Sequence, residues 1–116
     1  MSPEILDTEI AAVAENSAML FAALGDETRL RLVSRLCEQG PMSITALAEG
    51  VPMTRQAITK HLHVMEHARL VHNIRRGRES VWRLDQQRLL EAQRYLDRIS
   101  TQWDEALERL RQFVED

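Results

Sequence analysis

Apolar residues recur every three to four positions along most of this chain, and one short stretch breaks the rhythm. Leu6, Ile10, Val13, Leu20 and Leu24 fall at helical spacing, and Gly25 supplies a stop. Asp26 then reads as an N-cap whose carboxylate accepts from the free amides of a second helix. The expected buried face of that helix carries Leu30, Val33, Leu36 and Cys37, and Gly40-Pro41 ends it. Ser43 can cap a short third helix, Ile44 to Glu49, with Ile44, Leu47 and Ala48 turned inward. After the turn Gly50-Val51-Pro52, Thr54 caps a fourth helix reaching about Ala68. There the period changes. Leu70 to Arg75 and Ser80 to Leu84 read as short strands joined by Arg76-Gly77-Arg78-Glu79, with Gly77 free to take a positive φ. Asp85 opens a long last helix. The pattern predicts a mainly α chain with a small β-hairpin, in the order helix, helix, helix, helix, hairpin, helix.

The fourth helix sorts its residues by face. At about 100° per residue, Ala57, Ile58, His61, Leu62, Val64, Met65 and Ala68 share one arc. Arg55, Gln56, Thr59, Lys60, His63, Glu66 and His67 fill the other. A short helix, a glycine-containing turn and a second helix with long polar side chains near its start match a helix-turn-helix. Such a helix fits the major groove of duplex DNA. Arg55 can bridge guanine O6 and N7, Gln56 can pair with adenine, Thr59 can donate or accept, and Lys60 can neutralise phosphate.

In the last helix, Leu89, Ala92, Leu96, Ile99, Trp103, Ala106, Leu110 and Phe113 alternate three and four apart. A helix of about 30 residues is roughly 45 Å long, more than a domain of this size covers alone. The expected dimer interface therefore joins Leu96, Ile99, Trp103, Leu110 and Phe113 with Leu6, Ile10 and Val13 of the first helix. A two-fold axis through it would place two reading helices about one DNA turn, roughly 34 Å, apart and call for an inverted-repeat operator.

Charge sharpens the picture. The chain has 116 residues and a formal net charge of −3, unevenly spread. Residues 1–53 carry three arginines against eight acids, and residues 84–116 five against eight. Residues 54–83 carry seven Lys or Arg against two acids, and all four histidines. One basic surface on an otherwise acidic chain suits a polyanion. Arg75, Arg76 and Arg78 around Gly77 offer a second contact, to backbone phosphate or a narrow minor groove.

Other chemistry is sparse. The one cysteine, Cys37, allows no intramolecular disulfide framework and fits a reducing compartment, where it reads as a small apolar filler. No apolar run reaches the roughly 18 residues of a membrane span, and the start of the chain does not resemble a signal peptide, so a cytoplasmic protein with no membrane partner is expected. His63 and His67 stand four apart, a zinc-compatible spacing without a good third ligand. His61 reads as a hydrogen-bonded core histidine. No nucleophile triad, phosphate-binding glycine loop or paired acid site is present, so neither enzymatic activity nor a cofactor is expected.

The run from Phe21 through Gly25-Asp26-Glu27-Thr28-Arg29 to Leu32 resembles the opening of ArsR-type winged-helix repressors. Thr54 to Val71 does too, followed by Arg76-Gly77-Arg78-Glu79 and Trp82-Arg83-Leu84-Asp85, so the likeness covers roughly residues 17–116. It implies a single winged helix-turn-helix domain over 1–116, with dimerisation helices at 1–24 and 85–116, the helix-turn-helix at 43–68 and the wing at 70–84. It also implies a homodimeric bacterial repressor released from its operator by an inducer or metal. The cysteine pair of metal-sensing members is absent, with Leu47-Ala48-Glu49-Gly50-Val51 in its place, and the last helix has no histidine. The expected partners are double-stranded DNA, a second copy and a small inducer of unspecified identity. The expected DNA contacts are Thr54, Arg55, Gln56, Thr59, Lys60, His63, Arg75, Arg76 and Arg78. Two alternatives remain open: an interaction module using the long helix, and a metal-responsive repressor.

Overall fold

The structure is a computed structural model that describes the backbone of residues 3–115 and the side chains of residues 14–115. Its elements run α1 (Pro3–Leu24), α2 (Glu27–Gln39), β1 (Met42–Ser43), α3 (Ile44–Ala48), α4 (Arg55–His67), β2 (Val71–Arg76), β3 (Glu79–Leu84) and α5 (Gln86–Glu115). The three expected caps, and Asp85 at the start of α5, each sit where the side chain meets a free amide. Asp26 accepts from the Arg29 amide at 3.0 Å, Ser43 from Ala46 at 3.2 Å, Thr54 from Ala57 at 3.1 Å and Asp85 from Arg88 at 2.9 Å. Gly40 leaves α2 at φ 78°, a conformation that a Cβ would strain.

The hairpin forms, but it is part of a larger sheet. β3 lies between β2 and β1, antiparallel to both, with Met42 opposite Trp82 and Ser43 opposite Val81. Two residues are too few to show a period, so β1 escapes a reading based on alternation. The β2–β3 register sets Arg76 opposite Glu79, and Gly77, at φ 62°, turns the chain between them.

The core joins one face of each helix to the sheet. Leu20, Leu32, Leu36, Leu47, Ile58, Leu62, Met65, Leu70, Val71 and Trp82 are buried in one cluster. The face expected for α2 is corrected. Leu32 and Leu36 are its buried residues, while Leu30 and Cys37 are exposed and Val33 is half-buried. A 13-residue helix carrying Leu30, Leu32, Val33, Leu36 and Cys37 has two overlapping apolar arcs. The packing of α2 on α1, α4 and β3 selects the arc through Leu32 and Leu36. Cys37 is therefore no core filler. On α4, Ile58, Leu62 and Met65 are buried as their arc requires, but Val64, at the edge of that arc, is exposed.

α5 begins on the core and leaves it. Leu89 and Ala92 pack against the cluster, and Tyr95 meets the Phe21 ring at 5.6 Å between centroids. Farther along, Ile99 and Ala106 are half-buried, while Leu96, Trp103, Leu107, Leu110 and Phe113 are exposed. The side chains of Leu6, Ile10 and Val13 lie outside the described residues. Near its start α5 is locked by Arg88, a buried arginine that donates to the carbonyls of Ala68 at the end of α4 and Asn16 in α1, and pairs with Glu91 at 2.9 Å. These partners make its burial tolerable.

Candidate nucleic-acid interface

The helix-turn-helix consists of α3, the turn after it, and α4. Its first helix is only five residues long, and Arg35 of α2 holds the C-terminal end. The Arg35 guanidinium donates to the carbonyls of Ala46, Leu47 and Glu49 at 3.0, 2.7 and 2.8 Å. Those carbonyls belong to the end of a helix, where backbone acceptors lack partners within it. The turn that aims α4 is thus anchored to α2 by one side chain.

α4 presents the polar face that its sequence implies. Arg55, Gln56 and Lys60 are exposed in its first two turns, after the Thr54 cap. Thr59 is half-buried, and its hydroxyl donates to the Arg55 carbonyl at 2.8 Å, so it faces outward as an acceptor. His63 is exposed, with Nδ1 3.4 Å from Glu66 and its ring edge-on to Trp82 at 5.9 Å. Arg75, Arg76 and Arg78 stand exposed on the wing. Among the described residues, Arg55, Lys60, Arg75, Arg76 and Arg78 make no ion pair; Arg94, Arg98 and Arg109 of α5 make none either, whereas Arg31, Arg88 and Arg111 do.

The histidines divide by role. His61 is half-buried, and its Nδ1 lies 3.3 Å from the Arg29 guanidinium and 3.9 Å from Asp26. An arginine can only donate, so this ring accepts at Nδ1 and carries its proton on Nε2. The Asp26 carboxyl is held below the usual carboxylate range, first by the Arg29 amide and then by the charge of Arg29. His72, for which the sequence suggests no role, meets Asp85 at 2.6 Å. That hydrogen bond, followed by the Arg88 amide, lowers the Asp85 pKa. Among the described residues no group of three His, Cys, Asp or Glu side chains could hold a metal ion. Nor is any helix among them long and apolar enough to cross a membrane.

Three residues that shape the site escape the sequence reading: Arg29, Arg35 and Arg88. Each has ordinary helical spacing, and each reaches across to other elements: Arg29 to Ala23 and His61, Arg35 to Ala46, Arg88 to Ala68 and Asn16. Nothing local marks them.

The comparisons agree with this geometry. Residues 24–74 match the helix-turn-helix domain family. The chain is 37% identical over 95 residues to the HTH-type transcriptional regulator Rv2034 of Mycobacterium tuberculosis, covering 82% of this chain and 85% of that protein. It is 31% identical over 84 residues to the transcriptional repressor SmtB homolog of Synechocystis, covering 72% of this chain and 61% of that one. Among solved structures, the ArsR-like transcriptional regulator from Rhodococcus sp. RHA1 superposes with a TM-score of 0.73 at 35% identity, over 88% of this chain and 95% of that one. With its capped recognition helix, basic wing and three-stranded sheet, the chain belongs to the ArsR-type winged helix-turn-helix family of DNA-binding transcriptional regulators.

Proposed function

We propose that the chain acts as a homodimer that occupies an inverted-repeat operator and represses transcription by blocking the promoter. One observation carries this reading: Arg55 and Lys60 on the recognition helix, and Arg75, Arg76 and Arg78 on the wing, stand exposed together and make no ion pair among the described residues. Unneutralised cations on a groove-sized helix and a hairpin tip suit a phosphate backbone, and the glutamine beside Arg55 suits a base edge. The apolar residues exposed along α5 support pairing with a second copy, since that stripe has no cover among the described residues. The SmtB homolog, by its name a repressor, supports the sign of regulation.

The test is selection of bound duplexes from the source genome, followed by affinity measurements over a range of salt. The expected result is a palindromic site with half-sites about 10 base pairs apart. Affinity should fall at least about a thousandfold between roughly 50 and 200 mM salt. A single unpaired half-site would refute the dimeric operator. Salt-insensitive association through α5, without DNA binding, would show an interaction module instead.

A further inference from the structure

We propose that the base of the wing holds an effector site for a small carboxylate with an apolar body. A cleft of about 670 Å³ opens there between the end of α2, the non-tip ends of β2 and β3, and the start of α5. Its volume is that of a small-molecule site. Leu84 and Leu89 supply apolar wall, Cys37 lines one side, and His72, Arg83, Asp85 and Gln86 supply the polar groups.

The charge of the ligand follows from hydrogen-bond capacity. Asp85 is the one carboxylate lining the cleft, and both of its oxygens are engaged: Oδ1 accepts from the Arg88 amide, and Oδ2 lies 2.6 Å from His72 Nε2. Arg83, exposed and opposite His72 in the strand register, has no ion-pair or hydrogen-bond partner among the described residues. The cleft therefore holds a guanidinium whose donors have no acceptor among the described residues. A planar guanidinium takes a carboxylate through two parallel hydrogen bonds, and a hydrocarbon body would cover Leu84 and Leu89.

The same position gives the ligand leverage. His72 belongs to β2, which leads to the wing tip, and Asp85 caps α5, the long helix with the exposed apolar stripe. A carboxylate seated on Arg83 competes with Asp85 for His72, loosening the contact between the wing and α5. Such a contact can bias the angle at which two reading heads meet DNA. The effector role rests on the DNA-binding reading above; the binding itself does not.

Cys37 makes the test direct, because its exposed thiol, the only one in the chain, lines the cleft. Alkylation of the full-length protein by N-ethylmaleimide is followed by mass spectrometry with benzoate or hexanoate, and with benzamide or hexanamide as neutral controls. A carboxylate at about ten times its Kd should slow alkylation about tenfold, as the free fraction falls, and the amides should not. Arg83→Gln, a substitution at an exposed position, should remove the protection. Equal protection by the amides, or full protection in Arg83→Gln, overturns the site. With DNA from the selection experiment, the carboxylate should weaken operator affinity about tenfold. Protection without such weakening overturns the effector role. Failure to bind any DNA would instead sink the proposed function, and the alkylation result would still decide the cleft.

Discussion

Arg29 of α2 reaches the ring of His61 on the recognition helix, its Nη1 3.3 Å from Nδ1. The same guanidinium donates to the carbonyls of Ala22 and Ala23 at the end of α1. One side chain thus ties α1, α2 and the reading helix together. Arg29→Ala should destabilise the fold by about 2 kcal/mol, because two helix-end carbonyls and the ring nitrogen lose a charged donor. His61→Ala should cost less, and a double-mutant cycle in urea should reveal a coupling of about 0.5 kcal/mol or more. Strictly additive effects would show that the contact carries no energy.

Arg88 is a harsher case. It is 3% exposed and satisfies carbonyls from two other helices. Arg88→Ala should cost about 3 kcal/mol by urea unfolding, because the carbonyls of Ala68 and Asn16 would be left facing a void. Arg88→Lys should recover less than half of that loss, since an ammonium cannot reproduce the spread of the guanidinium fork.

The His72–Asp85 contact predicts a pH dependence. A carboxyl whose pKa is lowered by folding adds stability that is complete above its unfolded value and is lost as pH falls through the folded one. Stability of the wild type should therefore drop faster than that of Asp85→Asn below about pH 4. Parallel pH profiles between about pH 6 and pH 3 would contradict the assignment. Replacing the cap altogether, in Asp85→Ala, should cost about 1 kcal/mol at neutral pH.

Leu110 is 61% exposed, so within one chain it has little to lose. Leu110→Glu should leave the helical circular dichroism of the protein intact while shifting its sedimentation toward the monomer. Retention of the wild-type oligomer would move the pairing surface elsewhere.

On the wing, Arg76→Ala should weaken binding to all duplex sequences alike. If each protomer loses one phosphate contact, the slope of log affinity against log salt should flatten by about 2. Arg55→Ala should instead relax discrimination at one base pair, measured by competition between operator variants, by about 1–3 kcal/mol.

Much of this molecule is legible in its sequence because local rules decide it. Asp26, Ser43, Thr54 and Asp85 each announce a helix start, and the face of α4 follows from its period. The errors arise where tertiary contacts choose. The sequence puts Leu30, Val33, Leu36 and Cys37 on the buried face of α2, but packing against α1, α4 and β3 turns Leu32 and Leu36 inward and leaves Leu30 and Cys37 in solvent. The long-range donors Arg29, Arg35 and Arg88 follow no periodicity. Of the site itself, the polar side chains were legible, but the bracing behind them was not.

The two-residue strand β1 has a consequence for the encounter with a duplex. It hydrogen-bonds the segment leading into α3 to β3, one of the two wing strands, so reading helix and hairpin belong to one stiff frame. The ordering entropy of placing one relative to the other is spent when the polypeptide folds, before any nucleic acid arrives. On the proposed reading, groove and flanking backbone would then be gripped in a single step, like a stamp meeting paper.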